Sequence, residues 1–362
     1  MNTQSLYAIL YRSLDWNPAR ITTFVELILA VVKARTIRIK ELALHINSKG
    51  KRKASIVKIE RFLLHQAINF IVIGVIILRL IGLDRNLVIA IDRTNWQYGK
   101  KNLNFFVAAI IFMNMSIPIV CTMLDKKGNS SANEREELIE KILKIVPLSM
   151  IGIIVADREF VCKELIKCLD NKNISYGLRT KKSELIRHVN GGKVKLEKYF
   201  SGMKRGETKV VETALYDLNI KLQITCLQLE KEQLLIASNV GIDVDVLSKY
   251  KNRWGIERTF KALKTAGFNM EDTHITDLKK LEKIFAITSI ALTLCIIAGD
   301  IKNNMIPIKV KNHGNYAYSI FTYGFDLMRD FFAKKIDEMN ELAILFDLLQ
   351  TRIYSCLQKS VG

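Results

Sequence analysis

The sequence predicts an α/β fold with a mixed-sheet core, a β-rich insertion and helical regions at both ends. Three observations lead to this fold class. Two strongly apolar runs, "NLVIAID" at 86–92 and "MIGIIVAD" at 150–157, each end in an aspartate. Segments rich in alternating and β-branched residues cluster between 180 and 241. Helical periodicity dominates residues 1–83 and returns after residue 242.

Residues 1–83 are predicted to be helical and to contact DNA. An amphipathic candidate, "TTFVELILAVVKA", is followed by a basic turn, "NSKGKRKAS". Up to residue 80 the chain has 13 Lys or Arg against 4 Asp or Glu. Short helices around such a basic connection are typical of a small DNA-binding bundle. The alternative is an ordinary basic helical cap on the main domain.

Residues 84–179 are predicted to form the first part of the core. The runs "NFFVAAIIFM" and "IPIVCTML" follow the first aspartate run and are separated by a hairpin-like break at "NMS". A helix is expected over "NSSANEREELIEKILKIV", with Asn133 and Glu136 placed for its N-terminal cap. The run at 150–157 and a helix over "REFVCKELIKCLDN" complete an α/β unit.

The rest of the chain divides into an insertion, the second part of the core and a C-terminal region. Residues 180–241 are assigned to the β-rich insertion, 242–300 to the core with its helices, and 301–362 to a helical C-terminal region. The apolar stretches at 68–84 and 284–299 are shorter than the roughly 20 residues of a membrane span. Both are therefore expected to be buried core helices, with a polytopic membrane protein as the alternative.

Composition narrows the class of partner. The formal net charge is +19 over 362 residues, which favours a polyanion as partner: nucleic acid first, an anionic membrane surface second. The six cysteines include no CxxC pair. A structural zinc site is therefore not expected, and reduced thiols in a cytosolic protein are the default.

Three carboxylates are candidates for chemistry. Asp92 and Asp157 end the two apolar core runs, and the ends of strands are where open α/β sheets present functional side chains. Taken singly, each aspartate could simply start a loop. Together with Glu257 they form a candidate cluster, and crowded carboxylates are tolerated when divalent cations neutralise them. Two such ions support phosphodiester transfer.

Glu257 belongs to the segment "YKNRWGIERTFKALK" at 250–264. At about 100° per residue, one helical stripe would carry Tyr250, Arg253, Glu257 and Lys264. The alternative is a surface helix with a ladder of salt bridges. Gly255 is locally unfavourable in a helix, and it either allows close approach of the backbone to DNA or has no role.

The sequence resembles the DDE transposases of bacterial insertion sequences, in the subgroup with a Tyr-x2-Arg-x3-Glu-x6-Lys signature. The spacing is intact at Tyr250, Arg253, Glu257 and Lys264. The blocks "AIDRTNWQYGKKN" and "VADREF" around the two aspartates also resemble the family. The resemblance runs from about residue 53 to about residue 300.

The resemblance implies an RNase H-like core and a metal-dependent enzyme. In the family, residues at the positions of Asp92, Asp157 and Glu257 are catalytic and hold two Mg²⁺ or Mn²⁺ ions. The implied reaction is hydrolysis at the transposon ends, followed by joining of the 3′-hydroxyls to target DNA.

The resemblance also implies the partners. Tyr250, Arg253 and Lys264 are expected to contact DNA phosphates near the cut, which suits the donors these side chains carry. The expected partner is double-stranded DNA, both terminal inverted repeats and target. A homodimer in the synaptic complex and a cytoplasmic, bacterial location are expected by the same analogy.

Some assignments stay open from the sequence alone. Glu159 competes with Asp157 as the second acid, and Arg93 either contacts DNA or shapes the turn. Trp96 and Trp254 either stack on a base or are buried, and burial is favoured for both. Two other functions remain: a catalytically inactive DNA-binding relic of a transposase, and a simple nuclease with the same core.

Overall fold

The structure is a computed structural model, and it describes residues 3–46, 51–187, 191–215, 220–241, 244–312, 314, 316–333 and 351. Five helices precede the sheet: α1 (Thr3–Ser13), α2 (Pro18–Ala34), α3 (Ile39–Leu42), α4 (Arg52–His65) and α5 (Phe70–Ile81). The predicted helical character of the N-terminal region is present in this part. Helix α5 lies against the sheet, and α2 packs on a long helix of the second half.

The first half of the sheet is a three-stranded meander followed by two crossovers. Its strands and helices are β1 (Leu87–Tyr98), β2 (Lys101–Phe112), β3 (Met115–Leu124), α6 (Ala132–Leu143), β4 (Ile151–Ala156), α7 (Lys163–Asn171) and β5 (Tyr176–Arg179). Strands β1, β2 and β3 are antiparallel, whereas β4 and β5 run parallel to β1. The order β3-β2-β1-β4-β5 is that of an RNase H-like core.

The turn between β2 and β3 is a two-residue hairpin. Met113 and Asn114 both have positive φ, 49° and 61°, as a type I′ turn requires. The break predicted at "NMS" is therefore present.

The cap of α6 differs from the prediction. The capping box is formed by Ser131 and Glu134 rather than by Asn133 and Glu136. The helix begins at Ala132, so Asn133 already lies inside the first turn.

The predicted β-rich insertion is present and continues the core sheet. It contains β6 (Leu185–Arg187), β7 (Lys193–Lys195), α8 (Leu196–Tyr199), β8 (Thr208–Leu215), β9 (Ile220–Gln228) and β10 (Gln233–Ser238). Strand β10 pairs with β9 on one edge and with β5 of the core on the other. Core and insertion thus share one ten-stranded sheet among the described residues.

In the described part of the chain, four α-helices follow the insertion: α9 (Val246–Lys251), α10 (Trp254–Lys261), α11 (Leu278–Met305) and α12 (Ile320–Phe332). Helix α11 is long and apolar enough to cross a membrane, yet 94% of its most apolar window is buried inside the fold. This is the environment of a core helix, as predicted for 284–299. Of the C-terminal region assigned to 301–362, residues 334–350 and 352–362 lie outside the described residues.

Two glycines let α11 and α12 cross in backbone contact. A Cβ on Gly299 would lie 2.0 Å from the carbonyl oxygen of Ile320, and one on Gly324 would lie 1.9 Å from that of Cys295. No larger residue fits at either position without moving a helix. The apolar side chains of these helices join those of the sheet in one buried cluster.

Candidate active site

Asp92 and Asp157 are brought side by side by the parallel pairing of β1 and β4. The last paired residues of this register are Ile91 and Ala156, so the two aspartates occupy the next position on each chain. Asp157 follows the end of β4, as predicted. Asp92 does not end its strand, because β1 continues to Tyr98 in pairing with β2.

The segment 250–264 is not the single helix that was predicted. Helix α9 ends at Lys251, α10 spans Trp254–Lys261, and a π-helical turn covers Ala262–Ala266. At the break, the N–H of Arg253 donates to the carbonyl of Tyr250 at 2.9 Å. Such an i to i+3 bond tightens the chain to about three residues per turn and stacks the side chains at i and i+3.

Arg253 is the centre of the site. Its residue is 2% exposed, and its guanidinium donates to Asp92 Oδ2 at 3.2 Å, to Glu257 Oε1 at 2.8 Å and to the Tyr250 hydroxyl at 3.0 Å. One buried cation therefore joins the first and third of the three predicted acids. Because charged groups are buried only when paired, these contacts account for its position.

The second acid is linked through Tyr250. The hydroxyl of Tyr250 donates to Asp157 Oδ1 at 3.5 Å, and Tyr250 is itself 2% exposed. Burial raises the pKa of this phenol to about 12, so it is a hydrogen-bond donor at neutral pH. Arg179, at the end of β5, lies 4.0 Å from the same oxygen of Asp157. All three acids are thus connected through Arg253 and Tyr250.

Burial also alters the chemistry of Asp92. Desolvation raises the pKa of this carboxyl from 3.8 to about 6, and the charges of Glu159 and Asp157 add to the rise. Arg253 and the N–H of Arg93 act in the opposite direction. With a pKa of about 6, the carboxylate is mostly ionised at neutral pH, and the surrounding cationic and N–H donors favour this state.

Helix α10 is fixed to the sheet at β3. The hydroxyl of Thr259 accepts the N–H of Ser116 at 3.0 Å and donates to its carbonyl at 2.7 Å. A Cβ on Gly255 would lie 2.9 Å from Ser116 Oγ and 3.1 Å from the carbonyl carbon of Met115. The glycine therefore allows α10 to approach β3 closely, and this contact determines the position of Glu257.

Lys264 lies in the π-helical turn, further from the acids. Its ammonium donates to the carbonyl of Asn95 at 3.2 Å, pairs with Glu271 at 2.8 Å and lies 5.7 Å from the ring of Trp96. Trp96 is half-buried and stacked on Phe105, which agrees only in part with the burial favoured from the sequence. Trp254 is 49% exposed, so the burial favoured for it was wrong: it begins α10 on the solvent side.

Glu159 is occupied by an ion pair. Arg93 donates to Glu159 Oε1 at 2.6 Å and also contacts the carbonyl of Gly128 and the side chain of Asn129. Arg93 is therefore a structural partner of the second acidic block in this structure. In the sequence, its position directly after Asp92 had already marked Arg93 as a candidate for a role near the site. Arg179 was not found from the sequence, because no strand was predicted over 176–179, where β5 ends at this residue.

The three carboxylates are of a type that binds divalent cations. In this structure, however, two of them are paired with an arginine. Carboxylate oxygens are the ligands that Mg²⁺ prefers, and Asp92 and Glu257 already share one cation, the Arg253 guanidinium. Within the residues that the structure describes, no three His, Cys, Asp or Glu side chains are grouped closely enough to hold a metal ion. A shared metal requires the guanidinium to leave.

The known proteins to which this chain is similar are transposases. A cryo-EM structure of the piggyBac transposase synaptic complex with hairpin DNA aligns over 94% of this chain and 77% of its own, with a TM-score of 0.48 and 12% identity. A similarity at that level adds nothing to the topology described above. No curated protein matches the sequence significantly. The model of the family "Transposase DDE domain" matches residues 84–294, more than half of the chain, and the chain belongs to this family.

Proposed function

We propose that the protein is an active transposase of the insertion-sequence type. It hydrolyses phosphodiester bonds at the ends of its element and joins the freed 3′-hydroxyls to target DNA. The observation that carries the proposal is the linked set of acids: Asp92 beside Asp157 across β1 and β4, and Glu257 joined to Asp92 through Arg253.

The three acids would hold two Mg²⁺ or Mn²⁺ ions. Bound between carboxylates, such ions activate the attacking oxygen and stabilise the leaving one in phosphodiester transfer. The chain's own part is to supply the negative charge at a fixed place. Asp92 stands on β1, Asp157 directly follows β4, and Glu257 is positioned by the contact of α10 with β3.

The signature's other side chains would contact the DNA backbone. Tyr250, Arg253 and Lys264 carry donors suited to phosphate oxygens. Arg253 and Tyr250 are both buried, so their phosphate contacts form only when the guanidinium leaves the carboxylates. Lys264 has a side chain that is 22% exposed and reaches a bound strand with less rearrangement.

The partners follow from charge and from the chemistry of the reaction. The net charge of +19 suits double-stranded DNA, both the terminal inverted repeats and the target. By analogy with the family, we propose a homodimer in the synaptic complex. The protein would act in the bacterial cytoplasm, on DNA.

The test is cleavage and joining of DNA that carries candidate element ends, in Mg²⁺, with products mapped on both strands. Wild-type protein should nick the ends and produce joined products. The variants Asp92→Asn, Asp157→Asn and Glu257→Gln should lose cleavage by at least about a thousandfold, since charge at the reacting centre supplies several kcal/mol, and should still bind the DNA.

Three results would contradict the proposal. Strand transfer by any of the three variants at the wild-type rate would remove these acids from the mechanism. Binding without metal-dependent nicking by the wild type would instead identify the chain as an inactive DNA-binding relic. Nicking without joined products would identify a nuclease.

A further inference from the structure

A cavity of about 310 Å³ lies where β5 leaves the core and the chain enters the insertion. Its volume is about ten times the roughly 30 Å³ share of one water molecule. The core contributes Arg158 and Arg179 to its wall, and the insertion contributes Glu232 and Gln233 from the start of β10. The cavity is thus built jointly by core and insertion.

The cavity is lined mainly by cationic side chains. Four of them, Arg158, Arg179, Lys182 and Lys231, face two carboxylates, Glu197 and Glu232, which leaves an excess of two positive charges. Arg179 pairs with Glu232 at 3.3 Å, and Lys182 lies 3.8 Å from Glu197. The lining therefore favours an anion.

Two of these cations are available to an incoming group. Arg158 and Lys231 are exposed, and within the described part of the chain neither has an ion-pair partner. They stand on different parts of the fold, Arg158 after β4 and Lys231 in the turn between β9 and β10. An anion that engages both would bridge the core and the insertion.

The cavity adjoins the site already described. Arg158 directly follows Asp157, and the guanidinium of Arg179 reaches from Glu232 in the insertion to within 4.0 Å of Asp157 Oδ1. An anion in the cavity therefore lies next to the group being cut when a strand passes over Asp157. The anionic group that neighbours a phosphodiester in DNA is another phosphodiester.

We propose that this cavity, here called the Arg158–Lys231 pocket, binds a backbone phosphate of the DNA strand that occupies the site. The inference rests on the proposed function and extends it: the insertion helps to hold the reacting strand. Arg158 and Lys231 supply the direct contacts. Arg179 is oriented by Glu232 and adds its charge to the wall.

The test is the salt dependence of DNA binding, measured by fluorescence anisotropy in EDTA with a labelled duplex that carries a candidate element end. Each lost phosphate contact should lower the slope of log K against log salt by about 0.9, and should weaken binding about five- to tenfold at 0.1 M salt. We expect this for Arg158→Ala and for Lys231→Ala. The double variant should lose twice the slope.

The control is Lys167→Ala, on the exposed face of α7, which removes the same charge away from the pocket and should leave the slope unchanged. A second measurement replaces single phosphates of the duplex with neutral methylphosphonates. At the position that the pocket contacts, this replacement should weaken the wild type and leave the double variant unaffected.

The pocket and the proposed function fail in different ways. If the wild type binds the duplex and both pocket variants keep its affinity and slope, the pocket proposal is wrong while the transposase proposal stands. If every protein, including the control, loses the same slope, the effect is net charge and the pocket is again excluded. If the wild type neither binds nor cuts the duplex, the proposed function is wrong, and the pocket proposal that rests on it is wrong as well.

Discussion

Replacing Arg253 by glutamine tests the charge balance at the centre of the site. The side chain is 3% exposed and contacts Asp92, Glu257 and the Tyr250 hydroxyl. Glutamine keeps a polar group of smaller size but removes the positive charge. Asp92, whose side chain is 19% exposed, then loses its nearest counter-charge.

The expected cost follows from the burial of this pair. Removing one partner of a buried ion pair costs about 3–5 kcal/mol. The lower end applies here, because Asp92 already has a pKa of about 6 and can take up a proton. Glu257, with its side chain 58% exposed, contributes little. A loss of about 3 kcal/mol lowers Tm by about 4 °C for a chain of this length.

The assay is thermal unfolding of the two proteins in EDTA and again with Mn²⁺. Without metal, Arg253→Gln should unfold about 4 °C below wild type. With Mn²⁺ the rise in Tm should be larger for the variant than for wild type, because the cations replace the missing charge without having to displace a guanidinium. Arg258→Gln is the matched control: Arg258 is on the same helix, exposed, and bonds only the carbonyl of Asn114 among its described contacts.

Two outcomes would refute this reasoning. A variant as stable as wild type in EDTA would show that Asp92 does not depend on Arg253 for its charge. An equal rise in Tm with Mn²⁺ in both proteins would show that the guanidinium and the cations do not compete for the same carboxylates.

Three further predictions concern Asp92 and two glycines. The folded-state pKa of Asp92 is raised from 3.8 to about 6, so its ionisation opposes folding and its contribution to stability falls as pH rises through this window. The free energy of unfolding of Asp92→Asn relative to wild type, from urea titrations, should therefore rise by about 2 kcal/mol between pH 4 and pH 7; a flat difference would contradict the raised pKa. Gly255→Ala places a Cβ 2.9 Å from Ser116 Oγ; the overpacking, partly offset by helix propensity, should cost about 1 kcal/mol and reduce cleavage, whereas unchanged stability and rate would mean that α10 tolerates a shift. Gly299→Ala meets the Ile320 carbonyl at 2.0 Å and should cost about 3 kcal/mol, measured in the same titrations; a cost below that of Gly255→Ala would show that α12 readily moves away.

The sequence predicted the places of Asp92 and Asp157 in the fold better than what surrounds them. The apolar runs before Asp92 and Asp157 indicate buried strands, and the position of each acid follows from that. That β1 continues past Asp92 to Tyr98 was missed, because residues 93–98 pair only with β2 and lie beyond β4. With a neighbouring strand on one side only, they need no apolar pattern, so periodicity gives no signal.

The contacts of the signature residues could not be predicted from the sequence, for a different reason. Helical geometry places Tyr250, Arg253 and Glu257 near one another, and they are near. It cannot say that Arg253 points inward to Asp92, a residue 161 positions earlier. Nor does it reveal the tightened turn that breaks the helix there, since that turn depends on packing against the sheet.

The pairing of β10 has a mechanical consequence. Strand β10 is hydrogen-bonded to β5 of the core on one edge and to β9 of the insertion on the other, so it connects the two parts through continuous pairing. A hinge between core and insertion would have to break the hydrogen bonds between β5 and β10. If DNA binds as proposed, the chain adjusts to it through the unpaired connections and through the break before Trp254, while the shared sheet keeps its shape.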